Sequence, residues 1–364
     1  MPPGVVEAVR QALLDHYDRA RRDLPWRHES DPYRIWVSEV MLQQTRVETV
    51  IPYYRRWLEL FPDVATLAGA ARDEVLLAWQ GLGYYRRAVH LHVGARVVRD
   101  RHHGRVPDSY EALRGLPGIG AYTAGAVASI AFGRVVPAVD GNVKRVLARV
   151  FDEPAPTAAW LRKAAARLVD PRRPGDWNQA LMELGATVCV PKAPACAACP
   201  LAGWCAARRG GTQEERPAPV RHRAVPTAEI AVAVVVDNGH RVLLVRRPEG
   251  GLLGGLWAFP ETPVDGDVDP RGDEELDDRV TGASRRAAQE AGATLTGGDP
   301  PRPLPVVRHR FTHLDARYHP VLLAGSGADD ENRRWVPLAR RQRFALPVAQ
   351  EKIASAAAAA LADR

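Results

Sequence analysis

The spacing of apolar residues changes once along this chain of 364 residues, and that change limits what it can fold into. Up to about residue 206, Ala, Leu and Val recur three and four positions apart, as in "TLAGAARDEVLLAWQ" and "QALMELGATVC". That is the period of helices with one buried face, and no convincing period-two strand interrupts it. Beyond residue 228 the character switches: "EIAVAVVV", the turn residues "DNGH" and "RVLLVRR" predict a β-hairpin. Further strands are expected in "LPVVRHRFTH" and "YHPVLLAG", with Ala-rich helices near 280–292 and at the C-terminus. Residues 207–228 combine Gly, Pro and charge without apolar period and read as a tether. The expected organisation is an all-α domain over 1–206, a linker over 207–228, a smaller α+β domain over 229–350 and a tail over 351–364.

All four cysteines of the chain lie in "CVPKAPACAACPLAGWC", spaced C-x6-C-x2-C-x5-C as Cys189, Cys196, Cys199 and Cys205. Pro191, Pro194 and Pro200 keep the intervening loops from becoming helix. The N-terminus is broken by charges and no run is long enough to span a bilayer, so a soluble cytoplasmic protein is expected. Thiols there stay reduced, and clustered ones read as metal ligands. Four thiolates on one short loop suit a [4Fe–4S] cluster. A four-cysteine zinc site, which usually shows two short C-x2-4-C pairs where this chain has one, is the alternative. Lys and Arg outnumber Asp and Glu by 50 to 43, a formal charge of +7 that suits a polyanionic partner such as nucleic acid.

Three stretches carry candidate chemistry. In "LPGIGAYTAGAVASIAFG", Pro117, Gly118 and Gly120 form a tight turn opening a helix; its N–H groups could approach a phosphate, although an ordinary helix–helix turn has the same residues. Asp108 and Ser109 are candidate caps of the helix before it. In "PAVDGNVKRVLARV", Asp140 stands where a helix begins, and the positive helix end should hold its carboxylate ionised. In "DPYRIWVSEVMLQQTRVETV", read as one helix, Glu39 lies among Trp36, Val40 and Leu42, so burial should keep it protonated near neutral pH and able to donate a proton. Gln43 falls one turn along on the same face. In "WQGLGYYRRA", Leu82, Tyr84 and Tyr85 beside Arg86 and Arg87 are what wedging into a base stack next to phosphates would use.

Together "LPW", "WVSEVMLQQT", "GLGYY", "LPGIGAYTAGA", "DGNVKR" and the cysteine array resemble, in the same order, the MutY adenine DNA glycosylases of the helix-hairpin-helix superfamily. The resemblance covers nearly the whole chain. It implies an all-α helix-hairpin-helix glycosylase domain with a [4Fe–4S] loop, followed by an α+β Nudix-like domain. It implies a monofunctional glycosylase that removes adenine mispaired with 8-oxoguanine, or guanine, from double-stranded DNA in base excision repair, working as a monomer near the nucleoid. By that resemblance Glu39 is the general acid toward adenine N7, and Asp140 stabilises or traps the oxocarbenium ion. Tyr122 and Asn142 support these two, while Arg27 and Glu183 hold the flipped adenine. Gln44, Leu82 and Tyr84 fill and wedge the helix, and Thr45 touches the oxidised guanine. Lys144, a lysine near the site, could trap abasic DNA slowly, but a phosphate contact beside the Gly118 and Gly120 turn is the expected role. The base must leave the stack for any of this chemistry.

"GGLLGGLWAFPETPV" and "VVRHRFTHLDARYHP" resemble the appended Nudix-like domain, in which the segment matching Phe311, Thr312 and His313 reads 8-oxoguanine. "SRRAAQEAGA" keeps Glu290 and Gly292 but has Arg286 and Gln289 where the hydrolase needs acids, which argues against a nucleotide pyrophosphatase. Endonuclease III-like glycosylase/lyases carry a lysine where this chain has Tyr122, so strand cleavage is not expected. A DNA-binding redox sensor without catalysis is the remaining alternative.

Overall fold

Helix starts in the N-terminal two hundred residues are set by their caps. Asp31, Asp63, Ser109, Asp140 and Thr157 each accept a backbone N–H from the first turn that follows, which satisfies donors no intrahelical carbonyl can reach. The computed structural model describes residues 1–219, 224–264, 274–297 and 300–362. Its helical part comprises α1 (Pro3–Ala20), α2 (Pro32–Met41), α3 (Val47–Leu60), α4 (Val64–Gly69), α5 (Arg72–Ala78), α6 (Arg86–Arg101), α7 (Tyr110–Arg114), α8 (Ala121–Phe132), α9 (Gly141–Val150), α10 (Ala158–Leu168), α11 (Pro174–Thr187) and α12 (Ala206–Gly210). The chain sorts into two compact units, with Arg72–Arg86 grouped with the C-terminal part.

In the first unit α1, α9, α10 and α11 share a core of Val9, Leu13, Tyr17, Val146, Leu147, Leu161, Trp177 and Leu184. Each such side chain, fully buried, contributes about 1.5–3 kcal/mol. Two packings matter for chemistry: α2 lies against α8, and α9 against α11. The stretch read as one helix across Pro32–Val50 is broken: α2 ends at Met41, and Gln44 takes a left-handed conformation (φ 56°) before α3 begins.

The expected tether is partly stitched to this unit. α12 caps on Gly211, Thr212 Oγ1 donates to Asp152 Oδ1 (2.6 Å), and Ala218 N–H donates to Pro154 O (2.8 Å). Arg216 meets Asp152 at 2.7 Å. Charge and glycine in this segment thus serve local pairing. Residues 220–223 lie outside the described part.

The second unit holds a mixed sheet of β1 (Thr227–Val236), β2 (Arg241–Arg246), β3 (Trp257–Ala258), β4 (Glu261–Pro263), β5 (Thr294–Leu295), β6 (Arg302–Pro303), β7 (Val307–Arg310), β8 (Asp315–Ser326) and β9 (Arg333–Pro337). β1 and β2 are joined as expected, but they part beyond Val236↔Val242. β1 continues parallel to β8 and antiparallel to β4, whereas β2 pairs with β9 and β3. The reason is in the residues: "IAVAVVV" is apolar without alternation, the mark of a central strand buried on both faces. Ala231, Ala233 and Val235 meet the helix α13 (Glu274–Glu290); Val232 and Val234 meet α14 (Val348–Ala362). The segment 351–364, expected to be a tail, is therefore core: Ile353, Ala354 and Ala357 are buried, and alanines let the helix sit close to the sheet. Arg246 clamps Asp73 of α5 through two bonds of 2.7 and 2.8 Å.

Candidate active site

Glu39 is on the face of α2 that packs on α8 and is 6% exposed. The Tyr122 hydroxyl, one residue into α8, donates to Glu39 Oε2 and lies 3.4 Å from Met182 Sδ. Burial raises the Glu39 carboxyl above its ordinary value; the Tyr122 bond and Arg27 pull it down, and the charge of Asp140 pushes it up. Burial lifts the Tyr122 phenol well above its usual range. Gln43, expected on the same helical face, instead lies in the turn beyond α2, and its Nε2 donates to Thr123 Oγ1 (3.2 Å).

Asp140 is the N-cap of α9: Oδ1 accepts from Val143 N–H (2.7 Å) and Oδ2 from Asn142 Nδ2 (3.0 Å). The helix end favours the carboxylate as expected, but burial outweighs it and moves the group upward from its ordinary value. The approach to Asp140 is fixed by buried Asn178, which accepts from Ala138 N–H (3.0 Å) and donates to Ser129 Oγ (2.8 Å) and Val136 O (2.9 Å). Asn142 is held by Arg145, whose Nη2 donates to Asn142 Oδ1 (2.8 Å) and Gly185 O (2.7 Å), while its Nε donates to Cys189 O (2.8 Å). α11 can come this close only because position 185 is glycine. A Cβ there would lie 2.6 Å from Asn142 Cβ.

Arg27 and Glu183 are brought together. Arg27 Nη2 donates to Glu183 Oε2 (2.7 Å) and Nη1 to Gln179 Oε1 (2.6 Å), while Nε is buried without a hydrogen bond. Arg22 adds its Nε to Oε1 (2.6 Å), Nη2 to Oε2 (3.0 Å) and its backbone N–H to Oε1 (3.3 Å). Burial pushes Glu183 up, but Arg22 and Arg27 together carry its carboxyl below the ordinary range. Four donors already occupy the roughly four acceptor positions of one carboxylate.

The residues expected at the base pair divide by exposure. Gln44 is exposed, and Thr45 is half-buried with its Oγ1 accepting from Arg87 Nη2 (3.0 Å). In the second unit Tyr84 is 44% exposed at φ 48°, whereas Leu82 is buried. Arg87, read as a phosphate neighbour, is buried and turned inward; Arg86 is exposed. In the hairpin Gly118 is left-handed (φ 76°) and a Cβ would strike His90 Cβ at 2.4 Å, so glycine is required there. Gly120 caps α8 with no such constraint, and Lys144 is half-buried on α9. Ser109 caps α7 as expected, and Asp108 pairs with Arg134.

The four cysteines are free thiols that line one cavity together with Val146, Arg149 and Leu201. Burial pushes Cys199 up to about 11, and the other three cysteines add to the rise. Arg149 Nη1 donates to Cys189 Sγ (3.3 Å), and its guanidinium also bonds the carbonyls of Val190 (2.7 Å) and Pro191 (2.8 Å). Among the described residues no three His, Cys, Asp or Glu side chains converge tightly enough for a single ion. The donor set, four thiols lining one cavity faced by the Arg149 guanidinium, fits an anionic cluster.

In the second unit Phe311, Thr312 and His313 form the turn between β7 and β8, closed by Phe311 N–H donating to Leu314 O (2.7 Å). Phe311 stacks edge-on against His309 (4.5 Å), and Thr312 and His313 are exposed. Arg286, Gln289 and Glu290 are exposed on α13.

Sequence reasoning missed Arg22, Gln179, Arg145 and the inward role of Arg87. For Arg22 and Arg87 the local signal was an unusual density of arginine in "RARRDLPWR" and "YYRR"; Arg145 and Gln179 lie outside both.

Residues 37–171 match the family described as HhH-GPD superfamily base excision DNA repair protein, and residues 231–356 match the NUDIX domain. The chain is 38% identical to the adenine DNA glycosylase of Rattus norvegicus over 96% of its own length and 77% of that protein. It is 42% identical to the human adenine DNA glycosylase over 70% of its length, spanning 57% of that longer protein. The solved structure of a thermostable thymine-DNA glycosylase superposes with a TM-score of 0.53 at 30% identity, over 56% of this chain and 97% of that one. Among the described residues no helix is long and apolar enough to cross a membrane.

Proposed function

Given that the chain belongs to the adenine DNA glycosylase family of base excision repair, we propose that it excises adenine paired with 8-oxoguanine, and with guanine, from duplex DNA. The observation that carries this reading is the pairing of two carboxylates with different partners, buried Glu39 with Tyr122 and half-buried Asp140 with Asn142. Glu39, kept protonated by burial, delivers its proton to adenine N7 and makes the base a neutral leaving group. Asp140 in its ionised form faces the oxocarbenium ion, stabilising it or forming a bond to it that water then breaks. Tyr122 orients the Glu39 carboxyl, and Asn142 orients that of Asp140.

Arg27 offers its unpartnered Nε–H to the flipped adenine, while Glu183, saturated by two arginines, fixes Arg27 in place; it accepts a base amine only if Arg22 withdraws. Gln44 and Tyr84 enter the gap with Leu82, and Thr45 meets the oxidised guanine. Gly118, Gly120 and Lys144 hold phosphate. Phe311, Thr312 and His313 read 8-oxoguanine. Cys189, Cys196, Cys199 and Cys205 hold a [4Fe–4S] cluster, which when bound crosslinks the loop after α11 and takes no part in bond breaking. The protein acts as a monomer in the cytoplasm, on the nucleoid.

Single-turnover cleavage of end-labelled duplexes carrying A:8-oxoguanine, A:G, C:8-oxoguanine or thymine glycol, with and without alkali, tests the reading. Alkali-dependent breaks confined to the adenine strand are expected. Alkali-independent breaks at thymine glycol would replace it with a glycosylase/lyase.

A further inference from the structure

The last four carbonyls of a helix have no intrahelical donor, and a helix C-terminus attracts positive charge. α2 has no basic residue in its last turn, yet its end carries the turn that leads from Glu39 to Gln44 and Thr45. The charge comes from α6. The Arg87 guanidinium, 9% exposed as a residue, donates through Nη1 to Val40 O (2.9 Å), Met41 O (2.8 Å) and Gln43 O (2.6 Å), and through Nη2 to Thr45 Oγ1 (3.0 Å).

Between these anchors Gln44 sits at φ 56°, a conformation a non-glycine residue keeps only where its surroundings hold it. The anchors bracket it on both sides, Gln43 O before and Thr45 Oγ1 after. A lysine would bring the charge but not a planar fork able to serve a helix end and a hydroxyl together.

We propose that Arg87 is a positioning residue that sets the Gln43–Thr45 turn in its DNA-binding shape before DNA arrives. The proposal rests on the reading of Gln44 and Thr45 as residues that meet the mispair, and its first test is independent of that reading. In the DNA-free protein, Arg87→Lys should quicken amide hydrogen exchange at Leu42–Arg46 by about tenfold while α8 keeps its protection. Thr45→Val, which removes the acceptor of Nη2 together with the 3.4 Å bond from Thr45 Oγ1 to Gln43 O, should act in the same direction and less. If the lysine variant does not fold, unchanged exchange in Thr45→Val overturns the proposal. Unchanged exchange in the turn would overturn the proposal.

The second test is functional. Arg87→Lys should weaken affinity for an A:8-oxoguanine duplex by about tenfold, leave affinity for undamaged duplex unchanged, and reduce the excision rate at saturating enzyme by less. Equal loss on both duplexes would make Arg87 a general DNA contact or a structural prop and sink the idea. A wild-type protein with no preference for the mispair would refute the reading of Gln44 and Thr45, while the exchange result would still stand for or against Arg87.

Discussion

Glu39 and Glu183 are the same residue type, 6% and 5% exposed, on helices of the same unit, and their carboxyls move in opposite directions. Around Glu39 the strongest partner is a neutral phenol, so burial prevails and the carboxyl sits above its ordinary value. Around Glu183 two guanidinium groups supply three donors and the Arg22 backbone N–H a fourth, and the carboxyl is carried below its ordinary value. Burial alone therefore does not decide what a carboxyl can do; the charge of its nearest donor does.

The largest effect expected from breaking this contrast is at the acid. Glu39→Gln keeps shape and hydrogen bonding but has no proton to give, and should lower the single-turnover excision rate by about 10³-fold with mispair affinity preserved in a gel-shift titration. Next is the other glutamate. Glu183→Ala leaves Arg27 buried without its counter-charge and should lower unfolding free energy by about 3 kcal/mol in denaturant titrations.

The two sites should also differ in how stability follows pH. Glu39 has a raised carboxyl, so folding costs more as pH rises from the ordinary value of 4.5 through the raised one. Glu39→Gln should accordingly melt higher than wild type near neutral pH, with the gain vanishing in acid. Glu183 is depressed, so its contribution is present above 4.5 and is lost as pH falls through its lowered value; Glu183→Gln should lose its deficit only there. Equal pH dependence of the two variants' melting temperatures would erase the distinction.

A smaller effect sharpens it. The excision rate should rise as Asp140 ionises and fall as Glu39 loses its proton, the two limbs belonging to a coupled pair. Tyr122→Phe deletes a bond that lowers Glu39, so the falling limb should move to higher pH. Asn142→Ala deletes one that lowers Asp140, so the rising limb should move to higher pH. Rate profiles across pH would show whether only the named limb shifts in each variant.

What the sequence made legible was local. Asp140 and Ser109 were readable as caps because a cap bonds its own next turn, and β1 was readable as a strand because its apolar run is its own signal. Glu39 stood out against apolar neighbours one and three positions away. What escaped was every choice of distant partner. Nothing near Arg87 says that it will turn toward residues 40–45 and not outward like Arg86, and nothing near Arg145 says that it will join Asn142 to the Cys189 carbonyl. The divergence of β1 from β2 and the docking of α14 likewise depend on strands far along the chain.

Gly185 has no side chain to do chemistry, and alanine there is commonly ranked among the mildest of substitutions. Yet the added methyl would fall 2.6 Å from Asn142 Cβ and 3.1 Å from its Cα, atoms of the helix start itself and not the far end of a yielding side chain. α9 and α11 would have to separate, and the amide steadying the Asp140 carboxylate would go with them. A catalogue of variants weighted by side-chain polarity would pass over this position, although exchanging one hydrogen atom for a methyl there reaches a carboxylate it never touches.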